Sequence, residues 1–249
     1  MNVIAPAPQS FENSHVLSII IPCFNEEPCL ANLFDKLAPI LSEMGKSYDV
    51  EVIFIDDGST DRTLRILEAE VKKDPRLHVV KHDRNKGIGA AVRTGFSSAR
   101  GDILVAADSD CTYPLKEIPR MLRFLDDGFD IVTASPYHPD GSVMGVPAYR
   151  LFLSKGVTML YNLVLRTHIY TYTSMFRAYR RKVIEEVTFK SDSFIAMVEI
   201  LARAVSKGFT VKEMPTTLYS RIYGVSKMKT LKVIWGHMKF LVNANGMGD

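Results

Sequence analysis

Apolar and polar positions come in blocks along this chain: short β-branched runs, each followed by a longer stretch with apolar residues three and four apart. Such blocks predict buried strands and amphipathic helices in turn. The first run, residues 16–21, meets Pro22, where a central strand should stop because proline cannot donate to the ladder. Asn25 is placed to cap a helix with Leu30, Leu33, Phe34, Leu37 and Leu41 on one face, ended by Gly45. A second run, 50–55, breaks at Asp56-Asp57-Gly58-Ser59-Thr60-Asp61, and Leu64, Ile66 and Leu67 open a second helix. Strands are predicted again at 77–81, 101–107 and 130–134, with helices at 85–99 and 115–125 between them. Strands alternating with helices of this length imply an α/β fold with a mostly parallel sheet and right-handed crossovers.

After Ser135 the pattern changes. Pro136, Pro139, Gly141, Gly145 and Pro147 mark a loop before an unusually apolar helix, 150–166, basic at both ends. That composition suits a core helix and a helix at a membrane interface equally. Residues 170–179 are aromatic and β-prone, 194–205 helical and 209–219 extended. A closing helix, 230–243, carries Leu231, Ile234, Trp235 and Met238 on one face with Lys232 and Lys239 off it, again open to docking or to an interface. No apolar stretch approaches the roughly 20 residues of a spanning helix. Residues 1–15 read as a flexible lead-in, with neither the basic start nor the apolar centre of a signal peptide.

Composition narrows the classes. The chain has 249 residues, 47% hydrophobic and 24% charged, which is globular, and a formal charge of +3 indicates no nucleic-acid partner. Distribution says more: between residues 141 and 184 there is no Asp or Glu, while Arg150, Lys155, Arg166, Arg177, Arg180, Arg181 and Lys182 all fall there. A second acid-free stretch, 214–248, holds Arg221, Lys227 and further lysines. The second half is therefore expected to meet anions, whether phosphates or a lipid surface. Cys23, Cys29 and Cys111 form no CxxC pair, which fits a reducing compartment and neither a disulfide framework nor a zinc site.

Candidate chemistry lies where strands end. The apolar run at 104–107 stops at Asp108-Ser109-Asp110, two carboxylates that an extended backbone points the same way, fit for one hard divalent cation. Asn25-Glu26-Glu27 and Asp56-Asp57-Gly58-Ser59 end two other strands, and in a parallel sheet such ends share one rim, where ligands bind. A strand-tip Asp can accept from a base or ribose, and paired Asp residues can hold a Mg²⁺ or Mn²⁺ that neutralises a diphosphate. Gly87-Ile88-Gly89 lacks a third glycine and suits close helix packing better than a dinucleotide site.

These motifs in order resemble family two glycosyltransferases of the GT-A (Rossmann-like) fold, and among them dolichol-phosphate mannose synthase-like enzymes. The residues that carry the resemblance are Ile20 with Ile21-Pro22-Cys23-Phe24-Asn25-Glu26-Glu27, Asp56-Asp57-Gly58-Ser59-Thr60-Asp61, Asn85-Lys86-Gly87 with Arg93, Asp108-Ser109-Asp110, Thr173-Ser174-Met175-Phe176-Arg177, and Arg221-Ile222-Tyr223-Gly224-Val225-Ser226-Lys227. The resemblance implies a glycosyltransferase domain over 16–228, with a nucleotide-sugar half (16–135) and an acceptor half (136–228), followed by a C-terminal amphipathic helix and tail (229–249). It implies that Pro22, Phe24, Glu26, Asp56, Asp57, Lys86, Arg93 and Asp108 bind the nucleotide, that Asp108, Asp110 and Thr112 serve a Mg²⁺ or Mn²⁺, and that Asp110, Arg221 and Lys227 act in catalysis. Departures are equally specific. Thr112 stands where such synthases commonly carry Gln, Pro136 where Gly-Ser-Arg has its Arg, and Thr171 where Asp opens Asp-Pro-Thr-Ser-Gly-Phe.

A phosphate acceptor, ionised at neutral pH, needs no general base, whereas a hydroxyl acceptor does. The acid-free belt points to phosphate, with Arg150, Arg177 and Arg180 as its expected ligands. The expected reaction is inverting transfer of a hexose from GDP-mannose or UDP-glucose to a polyprenyl phosphate, by a protein peripherally bound at the cytoplasmic membrane face, with a membrane-protein partner conceivable. A hydroxyl-acceptor enzyme would draw its base from Asp192 or Glu199. A nucleotide-sugar or lipid binding subunit is the non-enzyme alternative.

Overall fold

The computed structural model describes residues 15–223. Four parallel strands form its first half: β1 (Val16–Cys23), β2 (Asp49–Asp56), β3 (Leu77–Lys81) and β4 (Ile103–Ala106). They alternate with helices α1 (Glu27–Met44), α2 (Thr63–Val71) and α3 (Ile88–Ser98), and after β4 a 3-10 turn (Leu115–Glu117) leads into α4 (Ile118–Asp126). The chain continues through β5 (Ile131–Ser135), β6 (Ser142–Met144), α5 (Ala148–Leu165), β7 (Arg177–Arg180), α6 (Arg181–Glu186), α7 (Ile195–Ser206), β8 (Val211–Pro215) and β9 (Thr217–Tyr219). Seven strands make one sheet in the order β3-β2-β1-β4-β7-β5-β8, and β6 pairs with β9 in a second, parallel sheet of two. The mostly parallel α/β architecture expected from the blocks of the sequence is present.

Continuous apolar runs became strands because both faces of the sheet are covered. Leu17, Ile19 and Ile21 pack with Leu30, Leu33 and Leu37 of α1 and Ile118 and Met121 of α4. Their neighbour Ile20 faces the other layer, with Val92 and Phe96 of α3 and Met197 of α7. Each such buried Leu or Ile contributes about 2 kcal/mol. Gly95 lets α3 settle on the sheet: a Cβ there would lie 2.3 Å from Ile20 Cγ2 and 2.8 Å from Ile55 Cδ1.

Several local expectations are corrected. β1 runs through Pro22 to Cys23. The Ile20 carbonyl accepts from Ala107 on the β4 side, so the backbone of Pro22, two residues on, faces that same side, beyond the last β4 pairing at Ile20–Ala106. No donor is needed there. Asn25 does not cap α1; it adopts φ 53° and its Oδ1 accepts from the Thr60 and Asp61 amides, tying the β1 loop to the β2 loop. Of the β-prone 170–179 only the end is strand, and β7 runs antiparallel to β4 and β5. β6 and α6 are short elements that the pattern of apolar positions did not predict.

Helix α5 answers to both readings of its composition. Thr158 and Tyr161 are buried, with Val157, Leu160 and Leu165 packed on the core. Tyr149, Phe152, Met159 and Leu163 form an exposed ridge at spacings of three, seven and four residues along the opposite face, Phe152 being 78% exposed. No helix among the described residues is long and apolar enough to cross a membrane. The helix expected at 230–243 lies outside the described residues.

Candidate active site

The carboxyl ends of β1, β2 and β4 lie side by side, with Cys23 in register with Asp56 and Ile20 with Ala106. The loops beyond them bring four of the expected residues together. Arg221 reaches over the rim from the segment after β9, its Nη2 bonded to Glu26 Oε2 and its Nε 3.2 Å from Asp110 Oδ2. Burial and the adjacent Asp110 charge push the Asp108 carboxyl well above the usual range, Arg221 opposing and Glu26 adding to the shift. Burial, reinforced by Glu26, likewise pushes the Cys29 thiol up to about 12. The rim is thus an acidic cluster held by one arginine.

That arginine is fixed by its backbone. The Tyr219 amide donates to the Thr112 carbonyl, the Ser220 amide to Met144, and Cys29 Sγ to the Tyr223 carbonyl. Thr112 enters through its main chain, its amide also donating to Asp110 Oδ1 at 3.1 Å. Lys227 lies outside the described residues.

Asp56 and Asp57 are neighbours with opposite surroundings. Both are buried. Asp57 accepts from His82 Nδ1 (2.7 Å), Asn85 Nδ2 (3.0 Å) and the Lys86 and Gly87 amides (2.9 and 2.8 Å). Its carboxylate is consumed in shaping the 82–87 turn, which argues against the nucleotide contact expected of it. Asp56 Oδ2 accepts from the Ser59 amide, while its buried Oδ1 has no partner among the described residues. A buried carboxylate oxygen without a donor is costly, and a nucleotide could supply that donor. Pro22 is the last residue but one of the adjoining β1, and Phe24, half-buried, follows the strand's end.

Other expected ligands sit elsewhere. Lys86 pairs with Asp83 (2.8 Å). Arg93 grips the 189–192 segment through Asp192 Oδ1 (3.0 Å) and the Phe189 and Ser191 carbonyls. The same segment crosses Gly89, where a Cβ would lie 2.2 Å from the Ser191 carbonyl, so the glycines there serve packing as expected. Arg177 is wholly buried, bonded to Thr133 Oγ1 and the Met197 and Tyr172 carbonyls. Arg180 is in register with Ile103, at the opposite end of β4, and binds the Leu125 and Phe129 carbonyls. Both arginines hold the protein together, and neither reaches the rim as an acceptor ligand. The antiparallel course of β7 carries Arg180 to the far end, whereas Arg177, in register with Ala106, spends its side chain inside the core. Arg150 is the third residue of α5.

The sequence reading missed a wall of hydroxyls. Because β7 runs antiparallel, the residues leading into it return to the same rim, and Tyr113 is bonded to Ser174 while stacking on Phe176. Ser154 meets Thr173 (2.8 Å) and Ser135 meets Thr171 (2.9 Å). Hence two of the departures from the synthase pattern, Pro136 and Thr171, are spatial neighbours through Ser135. Tyr113-Pro114, three residues past Asp110, was the available signal.

Among the described residues no three His, Cys, Asp or Glu side chains gather as a cage for a metal ion. The donor set of Asp108 and Asp110 still fits Mg²⁺ or Mn²⁺. Both offer hard oxygen, their mutual repulsion is what a cation relieves, and Mg²⁺ is usually held by one or two carboxylates plus substrate phosphates.

Comparison with known proteins agrees with this geometry. Residues 18–188 match the family model described as glycosyl transferase family 2. The chain is 33% identical over 217 residues to polyprenol monophosphomannose synthase of Mycolicibacterium smegmatis, covering 84% of this chain and 80% of that protein. It is 34% identical over 227 residues to dolichol-phosphate mannosyltransferase of Pyrococcus furiosus, covering 90% of this chain but only 62% of that longer protein. In fold it is similar to the crystal structure of glucosyl-3-phosphoglycerate synthase from Mycobacterium tuberculosis in complex with Mn²⁺, UDP and phosphoglyceric acid (TM-score 0.71, 20% identity, 94% of this chain and 80% of that one). With its acidic strand ends in place and most of its length inside the family's boundaries, the chain belongs to glycosyltransferase family 2.

Proposed function

We propose that this glycosyltransferase moves a hexose from a nucleotide-diphosphate sugar, GDP-mannose or UDP-glucose, to a polyprenyl phosphate, with inversion, at a membrane surface. One observation carries the choice of acceptor: the carboxylates that could serve a hydroxyl acceptor as base are engaged. Glu199 accepts from the Lys190 and Ser191 amides and pairs with Arg203, and Asp192 pairs with Arg93. A phosphate monoester already ionised needs neither. The names of the M. smegmatis and P. furiosus relatives support the same acceptor class.

Asp56 Oδ1 accepts from the nucleotide base, and Asp108 and Asp110 hold the metal, which when bound neutralises the diphosphate. Arg221 exchanges its carboxylate partners for phosphate oxygens as the donor binds, and Lys227 joins it. A phosphate oxygen of the acceptor forms the new bond to the anomeric carbon as the bond to the diphosphate oxygen breaks, and its electron pair leaves with the nucleoside diphosphate. The exposed ridge of Tyr149, Phe152, Met159 and Leu163, flanked by Lys155 and Arg166 and free of acids, seats the enzyme on the lipid surface.

Purified protein incubated with labelled GDP-mannose or UDP-glucose, Mn²⁺ and vesicles containing polyprenyl phosphate should yield a lipid-linked sugar of inverted anomeric configuration. A folded protein that transfers to no phosphate acceptor from either donor overturns the proposal.

A further inference from the structure

A chain of contacts leads from the acidic rim to one exposed cation. Tyr113, buried five residues past Asp108, is bonded to Ser174, and the adjacent Thr173 meets Ser154 of α5 at 2.8 Å. Tyr137, in the loop after β5, is hydrogen-bonded to Ser154 of α5. The next residue on that helix, Lys155, extends its ammonium over the Tyr137 ring, 5.5 Å from the centroid. A cation over an aromatic face is held in direction while its three donors stay open to a ligand.

Apart from Arg150, the other cations of the acid-free belt are committed or distant. Arg177, Arg180 and Arg181 are tied to backbone carbonyls, and Lys182 pairs with Asp130 at 2.6 Å. Arg166 closes the far end of α5, eleven residues and about 16 Å along the axis from Lys155. Lys155 is exposed, and no ion pair to a carboxylate is recorded for it among the described residues.

We infer that Lys155, steered by the Tyr137 ring, is the cation that receives the acceptor's phosphate monoester, so that Lys155 and Tyr137 together select phosphate acceptors. This rests on the phosphate-acceptor reading above and names residues that the arginine expectation passed over.

Initial rates at saturating nucleotide sugar, measured with a short water-soluble acceptor (citronellyl phosphate) and with vesicle-embedded polyprenyl phosphate, test it. K155Q should raise the KM for both acceptors about tenfold, the loss of one charge-assisted contact, with kcat and the nucleotide-sugar KM unchanged. K155R should restore most of the affinity, and Y137L should show a smaller rise of the same kind. An unchanged KM in K155Q, or a rise seen only with the vesicle acceptor, overturns the inference, the second outcome assigning Lys155 to lipid headgroups. If the wild-type protein glycosylates neither phosphate, the acceptor reading itself fails, and the inference with it, before any variant is compared.

Discussion

The rim formed by β1, β2 and β4 and the acceptor half that faces it treat charge in opposite ways. On the rim, Glu26, Asp108 and Asp110 crowd around Arg221, and Asp56 keeps a buried oxygen unpaired among the described residues. In the acceptor half the conspicuous arginines are spent on backbone carbonyls, and hydroxyls line the wall instead. Charged residues at the tips of parallel strands are delivered to a ligand by topology, whereas charged residues inside an antiparallel strand are distributed by register. A positive stretch of sequence is therefore weaker evidence for a binding site than a carboxylate at a strand end.

The strongest way to break this contrast is Arg177→Leu. If Arg177 is structural, losing it strands the Met197 and Tyr172 carbonyls in the core and should cost about 4 kcal/mol, seen in urea unfolding. An enzyme that keeps its stability but loses acceptor affinity would return Arg177 to the site. Next, Asp57→Ala should cost about 3 kcal/mol, because four donors of the 82–87 turn lose their acceptor. Its neighbour offers the opposite outcome: Asp56→Asn should leave stability within about 0.5 kcal/mol yet weaken nucleoside diphosphate binding about tenfold by calorimetry. Equal effects at the two positions would erase the distinction drawn between them.

The smallest effect concerns pH, at the other end of the sheet. Burial opposes ionisation of Glu51, but Ser18 and the amide and guanidinium of Arg100 outweigh it and hold the carboxyl below its usual range. A carboxyl depressed in the folded state adds stability above its unfolded pKa of about 4.3 and loses it as pH falls through the folded value. Acid unfolding of Glu51→Gln should therefore be less steep than that of the wild type below about pH 4.3. Identical slopes would remove Glu51 from the acid transition.

Much was legible beforehand. Most strand and helix blocks lie within a few residues of where the pattern predicts them, and Asp108, Asp110, Glu26 and Arg221 are identifiable from their motifs alone. Pro22 and Asn25 were misjudged because each answers to a neighbouring strand or loop rather than to its own segment. The composition of α5 suits core and interface alike, and the structure divides it, one face on the core and one bare.

By itself the sequence determined the layers of this protein and the acids of its rim, because apolar runs long enough to be buried on both faces must form a parallel sheet, and such a sheet gathers its strand ends. Only the tertiary structure decided which polar groups are free. Asp56 and Asp57 are identical in kind and adjacent in the chain. Their roles diverge because Asp57 meets partners 25 to 30 residues away, since a buried polar group takes whatever donor or acceptor the fold brings within about 3 Å.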